Sequence, residues 1–506
     1  MSAEHHHVVI VGSGFAGLGT AIELKRAGHE DFVMLERAEA LGGTWRANHY
    51  PGCACDVPTP YYSYSFAPKP DWSRFYAPYA EIRAYLEDCA DDFGVRAHLR
   101  TETMVTALRW SDTDQRWSVD VDGAHAMTAD VVVAAPGGLS RPAFPDIEGL
   151  GDFAGPWFHS AEWDHSVDLT GARVAVVGTG ASAIQFVPQI APDAAHVDVF
   201  QRTPPWVIPK PDRRIPKAEQ WLYKRSPLAQ RLVRGGVWAM QEWMGLGNTR
   251  SRRFTRPLEV RGRAMIRRSI KDPELRARLT PDYAIGCKRL LLANDWYPAL
   301  ARDDVDLVSD PIVRANENGL VTADGAQHPA DVVIFGTGFH ATDPLGDLTV
   351  EGRGGLPLAE RWREGMQAHR GTTISGFPNF FLMPGPNTGT GHTSQVFMIE
   401  AQIRHTLAAI GRLRDRGDVA IEPRAEAQGA FNAWVQKRMQ RTVWLRGGCS
   451  SWYLDAQGRN PTLWPASSLR FQHALRGIDD REFHFESRRW PATAPQPITV
   501  TTEATA

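Results

Sequence analysis

Short, wholly apolar runs that end in glycine recur along the chain, and they set the first expectations. His7-Val-Val-Ile-Val reads as a strand buried on both faces, as in the middle of a parallel sheet, and it enters Gly12-Ser-Gly14-Phe15-Ala16-Gly17. Leu18 to Arg26 then follows helical spacing until Gly28 stops it, and Asp31-Phe-Val-Met-Leu-Glu36 reads as the next strand. The pattern repeats when Arg173-Val-Ala-Val-Val runs into Gly178-Thr179-Gly180-Ala-Ser182-Ala183, with His196-Val-Asp-Val-Phe200 as the following strand. Asp130-Val-Val-Val-Ala-Ala and Asp331-Val-Val-Ile-Phe-Gly look like strands that return to close each sheet. Residues 81 to 93 form an amphipathic helix with Ile82, Tyr85, Leu86, Cys89 and Phe93 on its core face. The stretch from about 207 to 285 is rich in Arg, Trp and Met at helical spacing and has no strand pattern.

These runs predict an α/β fold with two Rossmann-like dinucleotide-binding domains and a helical insertion. The expected division is 1–140 for the first part of domain one and 141–206 for the first part of domain two. The insertion spans 207–285, domain two resumes over 286–337, and domain one resumes over 338–487. A loose tail covers 488–506.

The turns carry the first chemistry. In a strand-to-helix GxGxxG, Gly12 permits the tight turn, Gly14 lets a pyrophosphate approach the backbone, and Gly17 lets helix and strand pack closely. Glu36 stands nineteen positions after Gly17, where a carboxylate accepts hydrogen bonds from a ribose 2′-hydroxyl. A glycine-rich turn without a ligand is the bland alternative. In the second unit Ala183 replaces the third glycine, and Arg202, followed by Thr203, occupies the same nineteen-residue offset. A carboxylate repels a 2′-phosphate, whereas guanidinium and hydroxyl groups hold one. The first site is therefore expected to take FAD or NAD and the second NADPH. If Arg202 is only a solvated charge, the second site tolerates NADH. Two such units in one chain point to an oxidoreductase in which a nicotinamide passes hydride to a flavin.

Bulk properties narrow the setting. The 506 residues exceed one ordinary core, and 43% hydrophobic with 23% charged side chains suits a globular enzyme. A formal net charge of -2 gives no electrostatic case for nucleic acid or a membrane surface. With no spanning apolar run and no leader pattern, the expected place is the cytoplasm. A monomer is mildly preferred, and no metal site is expected. Cys53, Cys55, Cys89, Cys287 and Cys449 are an odd, sparse set, read as free thiols. His5, His6 and His7 read as a tag remnant or plain polar start rather than metal ligands.

One segment is more specific. Phe153-Ala-Gly155-Pro-Trp-Phe-His159-Ser-Ala-Glu-Trp163-Asp164 fits FxGxxxHxxxW just ahead of the second turn, and it resembles the fingerprint of the type I Baeyer–Villiger monooxygenases. The resemblance covers nearly the whole chain. Gly42-Gly43-Thr44-Trp45, Tyr50-Pro-Gly52 and Cys55-Asp56 are similar to that family's flavin loop. Gly286-Cys287-Lys288-Arg289 is similar to its catalytic arginine segment. Gly376-Phe-Pro-Asn-Phe-Phe, with Gly385-Pro-Asn-Thr-Gly-Thr-Gly-His-Thr-Ser394, is similar to its C-terminal flavin region. Ser451-Trp452-Tyr453 is similar to a segment whose tryptophan lies at the NADP.

The resemblance implies an FAD-containing, NADPH-dependent enzyme that inserts one oxygen of O2 beside a ketone carbonyl through a flavin 4a-peroxide, giving an ester or lactone. Arg289, oriented by Asp56, is the implied catalytic charge, since guanidinium stays protonated at any working pH. Tyr62 and Val105 join the implied FAD contacts. Lys288 joins Arg202 and Thr203 around the 2′-phosphate, and His159 is read as a hinge or cofactor-positioning residue. Leu290–Asn294, Thr388–Thr393 and Arg441–Gly447 are the expected pocket segments. Each role has a plainer counterpart: a structural ion pair for Arg289, a cap for Asp56, a satisfied core histidine for His159, and core packing for Trp45 and Trp452. The chain departs from the family at Ala134-Ala-Pro136-Gly137, where Ala-Thr-Gly is usual, so a locally altered crossover is expected. Three rivals remain. One is a related flavin monooxygenase of sulfur or nitrogen. Another is a disulfide reductase using Cys53 and Cys55, and the last is a non-catalytic nucleotide-binding module.

Overall fold

The computed structural model describes residues 4–343 and 345–488, so all but the first residue of the expected tail lies outside the described residues. The strand Glu4–Val11 leads into the helix Phe15–Arg26, and Phe32–Leu35 pairs parallel with it on one side. Val8, Val9 and Ile10 are fully buried, as an unbroken apolar run requires when both faces of a sheet are covered. On its other side lies the strand Ala124–Ala134, also parallel. That long strand has two successive neighbours on its far edge. Its first half pairs antiparallel with Arg116–Val121, and its last three residues pair parallel with Phe377–Leu382. The strand Phe377–Leu382, from the C-terminal third of the chain, is thereby hydrogen-bonded into the first sheet.

The second sheet is wholly parallel, in the order Val305–Val308, His196–Phe200, Arg173–Val177, Val332–Phe335, Trp157–His159. Each of the two sheets carries a strand–glycine turn–helix unit, so the fold is α/β with two Rossmann-like units. Along the chain, between the strands His196–Phe200 and Val305–Val308 of the second sheet, come the helices Lys217–Arg225, Pro227–Thr249, Arg256–Ser269 and Pro273–Leu279. Among the described residues no helix is long and apolar enough to cross a membrane.

Two expectations need correction. The first concerns the thiols: Cys287 and Cys449 form a disulfide, and only Cys53, Cys55 and Cys89 are free. The partners are 162 residues apart, so their approach is a tertiary fact that cysteine counting does not reach. The second concerns the N-terminal histidines, which belong to the first strand. His5 Nδ1 lies 2.9 Å from Thr128 Oγ1 and His7 Nδ1 3.2 Å from Asp130 Oδ2, so ladder partners order a stretch whose composition reads as a loose start. At the altered crossover the Ala135 amide still donates to Val11 O, so Pro136 falls just past the last ladder bond and interrupts nothing.

Three histidines are buried within the fold, and their burial has a thermodynamic consequence. His159 and His369 are pushed down to about 4 and His405 to about 3, mainly by burial, with Arg370 adding repulsion at the latter two. The unfolded chain takes up these protons near pH 6.5 while the native state refuses them, so stability falls as pH drops from 6.5 toward 4. At pH 5 each histidine costs about 2 kcal/mol relative to neutral pH. Urea midpoints should therefore fall steadily between pH 7 and pH 5, and a flat profile across that window would contradict the buried, neutral assignment.

Candidate active site

The first turn is built as its spacing demands. Gly12 has φ +97°, and a Cβ there would lie 2.4 Å from Ala135 O; a Cβ on Gly17 would lie 1.8 Å from Gly12 O. Only glycine meets both conditions. Gly14 caps the helix, and the one group near the place of its missing Cβ is Gly43 Cα, at 3.5 Å. The Gly43-Thr44-Trp45 turn thus lies against the pyrophosphate-type turn, with Gly43 at φ +52° opening the short helix Thr44–Ala47. Phe15 and Ala16 are buried behind it, Phe15 O accepting from Tyr64 Oη at 2.7 Å and Ala16 O from Thr20 Oγ1 at 2.8 Å.

Glu36 lies just past the second strand, buried, and accepts from Ser13 N at 2.9 Å, Ser13 Oγ at 2.6 Å and Ala38 N at 3.0 Å. A carboxylate has room for about four such bonds, so one position remains for a ligand hydroxyl. Ser13 was not singled out in the sequence, although an oxygen-bearing residue between the two glycines was the available signal. Val105 opens the strand Val105–Ser111, two residues after Thr103, whose amide donates to Glu36 O. Gly17→Ala should force helix and turn apart, costing about 3 kcal/mol and most of the bound flavin. The flavin-to-protein absorbance ratio and the melting temperature measure this, and an unchanged ratio would contradict the packing argument.

The second turn repeats the first with one difference. Gly178 N donates to Phe200 O at 3.0 Å, as Gly12 N donates to Leu35 O at 2.8 Å. Gly178 has φ +109° and abuts Gly336 O, where a Cβ would sit at 2.6 Å. Here Ala183 stands in the place of Gly17, fully buried, with the position of a Cβ on Gly336 3.3 Å from it. Thr179 is buried, Gly180 is exposed, and Ser182 precedes the helix Ala183–Ile190. Arg202 is exposed beyond the end of its strand, and Thr203 is half-buried. Burial lowers the Lys288 pKa, and the nearby Arg202 charge lowers it further against the opposing pull of Asp282. Two cations brought together in this way suit an anionic group of a ligand.

Where the two units meet, Tyr50 Oη donates to Gln185 Oε1 at 3.0 Å, and Gln185 Nε2 donates to Ala54 O at 3.0 Å. Gln185 was missed, though a polar residue on the apolar face Ala-Ile-Gln-Phe-Val was its signal. Trp163 of the fingerprint packs on Tyr50, Phe158 and Phe186 at the same seam. His159 is fully buried, its Nδ1 accepting from Ala161 N at 3.1 Å and its ring against Phe144 and Phe339. Its strand pairs with Val332–Phe335, His159 lying opposite Phe335.

The central observation is an ion pair between distant segments. Arg289 donates from Nε and Nη2 to Asp56 Oδ2 at 2.8 and 2.6 Å, and from Nη2 to Asp56 Oδ1 at 2.7 Å. The Asp56 charge raises the Arg289 pKa further, against the effect of burial, so the guanidinium is permanently charged. The side chains keep 36% and 24% of their surface exposed, so the pair is held but not sealed. Cys55, Asp56 and Arg289 all influence the buried Tyr62 hydroxyl, whose pKa burial raises, and Tyr62 Oη accepts from Trp45 Nε1 at 3.2 Å. Trp45 is therefore buried beside the site. Trp452 is 49% exposed and packs on the buried Tyr453, which is not the environment of a core indole. Cys53 and Cys55 are buried free thiols, with burial pushing Cys53 up to about 12 and Cys55 higher still. Such thiols make poor redox nucleophiles, which speaks against the disulfide-reductase rival.

Of the expected pocket segments, Gly391 packs on Trp444, and Leu290 and Leu292 pack against the apolar cluster that holds Val443 and Trp444.

A family described as pyridine nucleotide-disulphide oxidoreductase matches residues 9–221. Over 483 residues the chain is 49% identical to a Baeyer–Villiger monooxygenase of Streptomyces coelicolor, covering 95% of this chain and 92% of that protein. It is 45% identical over 485 residues to a Baeyer–Villiger monooxygenase of Pseudomonas aeruginosa, covering 96% and 92%. The solved structure of an oxidised steroid monooxygenase bound to NADP is similar with a TM-score of 0.86 at 31% identity, covering 96% of this chain and 100% of that one. Similarity at this level along nearly the full length of both chains shows that the chain belongs to the Baeyer–Villiger monooxygenases.

Proposed function

We propose that the chain uses FAD and NADPH to insert one oxygen atom of O2 beside the carbonyl of a ketone, giving an ester or lactone, with Arg289 as catalytic residue and Asp56 as its positioning partner. The bidentate Arg289–Asp56 pair carries this reading, because it fixes one permanent positive charge between the flavin-type loop and the NADP-type unit.

The residues present fit both groups. Gly12, Gly14 and Gly17 with Gly43 form a cradle that side chains would fill, and Glu36 keeps one accepting position. Thr44, Trp45, Cys55, Tyr62 and Val105 would line the flavin. Gly178, Thr179, Gly180, Ser182 and Ala183 would hold the second pyrophosphate, with Arg202, Thr203 and Lys288 at the 2′-phosphate and Trp452 also contributing to the nucleotide site. FAD supplies the ring that accepts hydride from NADPH and activates O2.

The protein's own part is electrostatic and steric. Arg289 stabilises negative charge that develops on oxygen, and Asp56 stops the guanidinium from swinging away. Neither needs to exchange a proton, so the pair acts as a fixed field. Buried Cys55 and Trp45, with half-buried Tyr62, keep water from one side of it, which strengthens that field. The division of the chain at 140, 206, 285 and 337 belongs to the same reading; it rests on the strand Val207–Ile208 pairing with Leu291–Leu292 across the helical segment.

The test supplies FAD, NADPH and O2 with a panel of cyclic, linear and aryl ketones. NADPH consumption that depends on the ketone, with a product one oxygen heavier, is expected. Turnover of sulfides or amines alone would favour the sulfur- or nitrogen-oxidising reading.

A further inference from the structure

The disulfide joins two segments to which the proposed function assigns work. Cys287 is fully buried and immediately precedes Lys288 and Arg289; Cys449 is half-buried and lies just ahead of Ser451-Trp452-Tyr453. Both cysteines pack in one apolar cluster with Trp444 and Tyr453, and Tyr453 lies near enough to Arg289 to influence its charge. Hydrogen bonds hold the second segment at its two ends; at the far one, Tyr453 is buried and its O accepts from Thr462 Oγ1 at 3.3 Å. Gly447 O accepts from Ala284 N, and Gly447 presses on Cys287 Sγ, where a Cβ would sit at 2.6 Å. After that, Gly448 takes φ +77°, and Gly448, Cys449 and Ser450 make no hydrogen bond among the described residues. Gly448 and Ser450 are exposed. A covalent tie therefore replaces the hydrogen bonds that usually fix such a stretch.

We propose that the Cys287–Cys449 bridge is a reversible latch that positions the Trp452–Tyr453 turn against the Lys288–Arg289 segment, and that reduction by a dithiol opens it. This rests on the proposed function for what the latch controls, not for its existence. A thiolate of the dithiol attacks Sγ of the half-buried Cys449, the Cys287–Cys449 bond breaks, and Cys287 leaves as a thiolate that takes up a proton. The second dithiol sulfur then displaces Cys449. The protein bridge gains two electrons and two protons and becomes two thiols, and the dithiol becomes a cyclic disulfide. With the latch open, the turn bearing Trp452 is free to move, so the grip on the nicotinamide cofactor weakens before any effect on the chemical step.

The experiment compares the flavin-loaded wild-type protein before and after dithiothreitol, and after reoxidation. Alkylation under denaturing conditions followed by mass measurement should find three reactive thiols before reduction and all five after. Protease cleavage between residues 447 and 450 should accelerate about tenfold on reduction. The NADP+ dissociation constant should rise about fivefold, with KM for NADPH rising more than kcat falls, and reoxidation should restore each value. Cys449→Ser and Cys287→Ser should show the reduced values from the start and ignore dithiothreitol. Five reactive thiols in the oxidised protein, or a bridge whose opening leaves cleavage and NADP+ affinity unchanged, would overturn the proposal. Absence of ketone oxygenation in the oxidised wild type would instead sink the proposed function while leaving the thiol and protease readouts intact.

Discussion

Replacing Arg289 with alanine is expected to lower ketone oxygenation at least about 1,000-fold, a loss of about 4 kcal/mol of transition-state stabilisation. FAD should stay bound, because the cradle at Gly12, Gly14 and Gly17 and the Glu36 acceptor are untouched. NADPH should still be oxidised, with its electrons now appearing as H2O2 instead of in an ester. Arg289→Lys should fall between the two. An ammonium keeps the charge but cannot form the forked contact that Nε and Nη2 make with Asp56. Asp56→Ala should also reduce oxygenation, by a smaller factor, because the charge survives but loses its anchor. Equal ester formation by wild type and Arg289→Ala would mean that the pair only joins two parts of the fold.

The second large effect is expected in the choice of nicotinamide. Arg202→Ala and Lys288→Ala should each raise the KM for NADPH about 10- to 100-fold, since a charge-assisted hydrogen bond to a phosphate is worth about 1.5–3 kcal/mol. The KM for NADH should hardly change, and the double variant should lose its preference for the phosphorylated cofactor. The mutual repulsion of Arg202 and Lys288 in the free protein is the reason to expect this. Relieving that repulsion removes a destabilising contact, so the variants should melt no lower than wild type. A parallel rise in both KM values would instead mean that these side chains shape the turn and do not read the 2′-phosphate.

Much of the site was legible because its determinants are local. Gly12 and Gly178 take left-handed backbone conformations against a neighbouring carbonyl, a condition visible as a glycine at a fixed place after an apolar strand. Glu36 and Arg202 share one offset because each lies just past the strand that follows its helix, one residue beyond Leu35 and two beyond Phe200. What escaped the sequence depends on contacts between remote segments. Ser13 matters through a bond to Glu36, Gln185 through bonds to Tyr50 and Ala54, and Cys287 through Cys449, and no periodicity connects these partners. The first strand reaches back to Glu4 for a similar reason. Its histidines are polar by composition, and the neighbouring strand supplies the ladder and the side-chain partners that order them. The Arg289–Asp56 contact is equally remote, and there the resemblance, not the spacing, supplied the pairing.

The most direct measurement gives the wild-type enzyme a cyclic ketone, NADPH and isotopically heavy O2, and follows the label in the products against NADPH consumed. One heavy oxygen in the lactone, the other in water, and one NADPH oxidised for each lactone formed are the expected result. Lactone without label, or NADPH oxidation matched entirely by H2O2 with no lactone from any ketone, would contradict it.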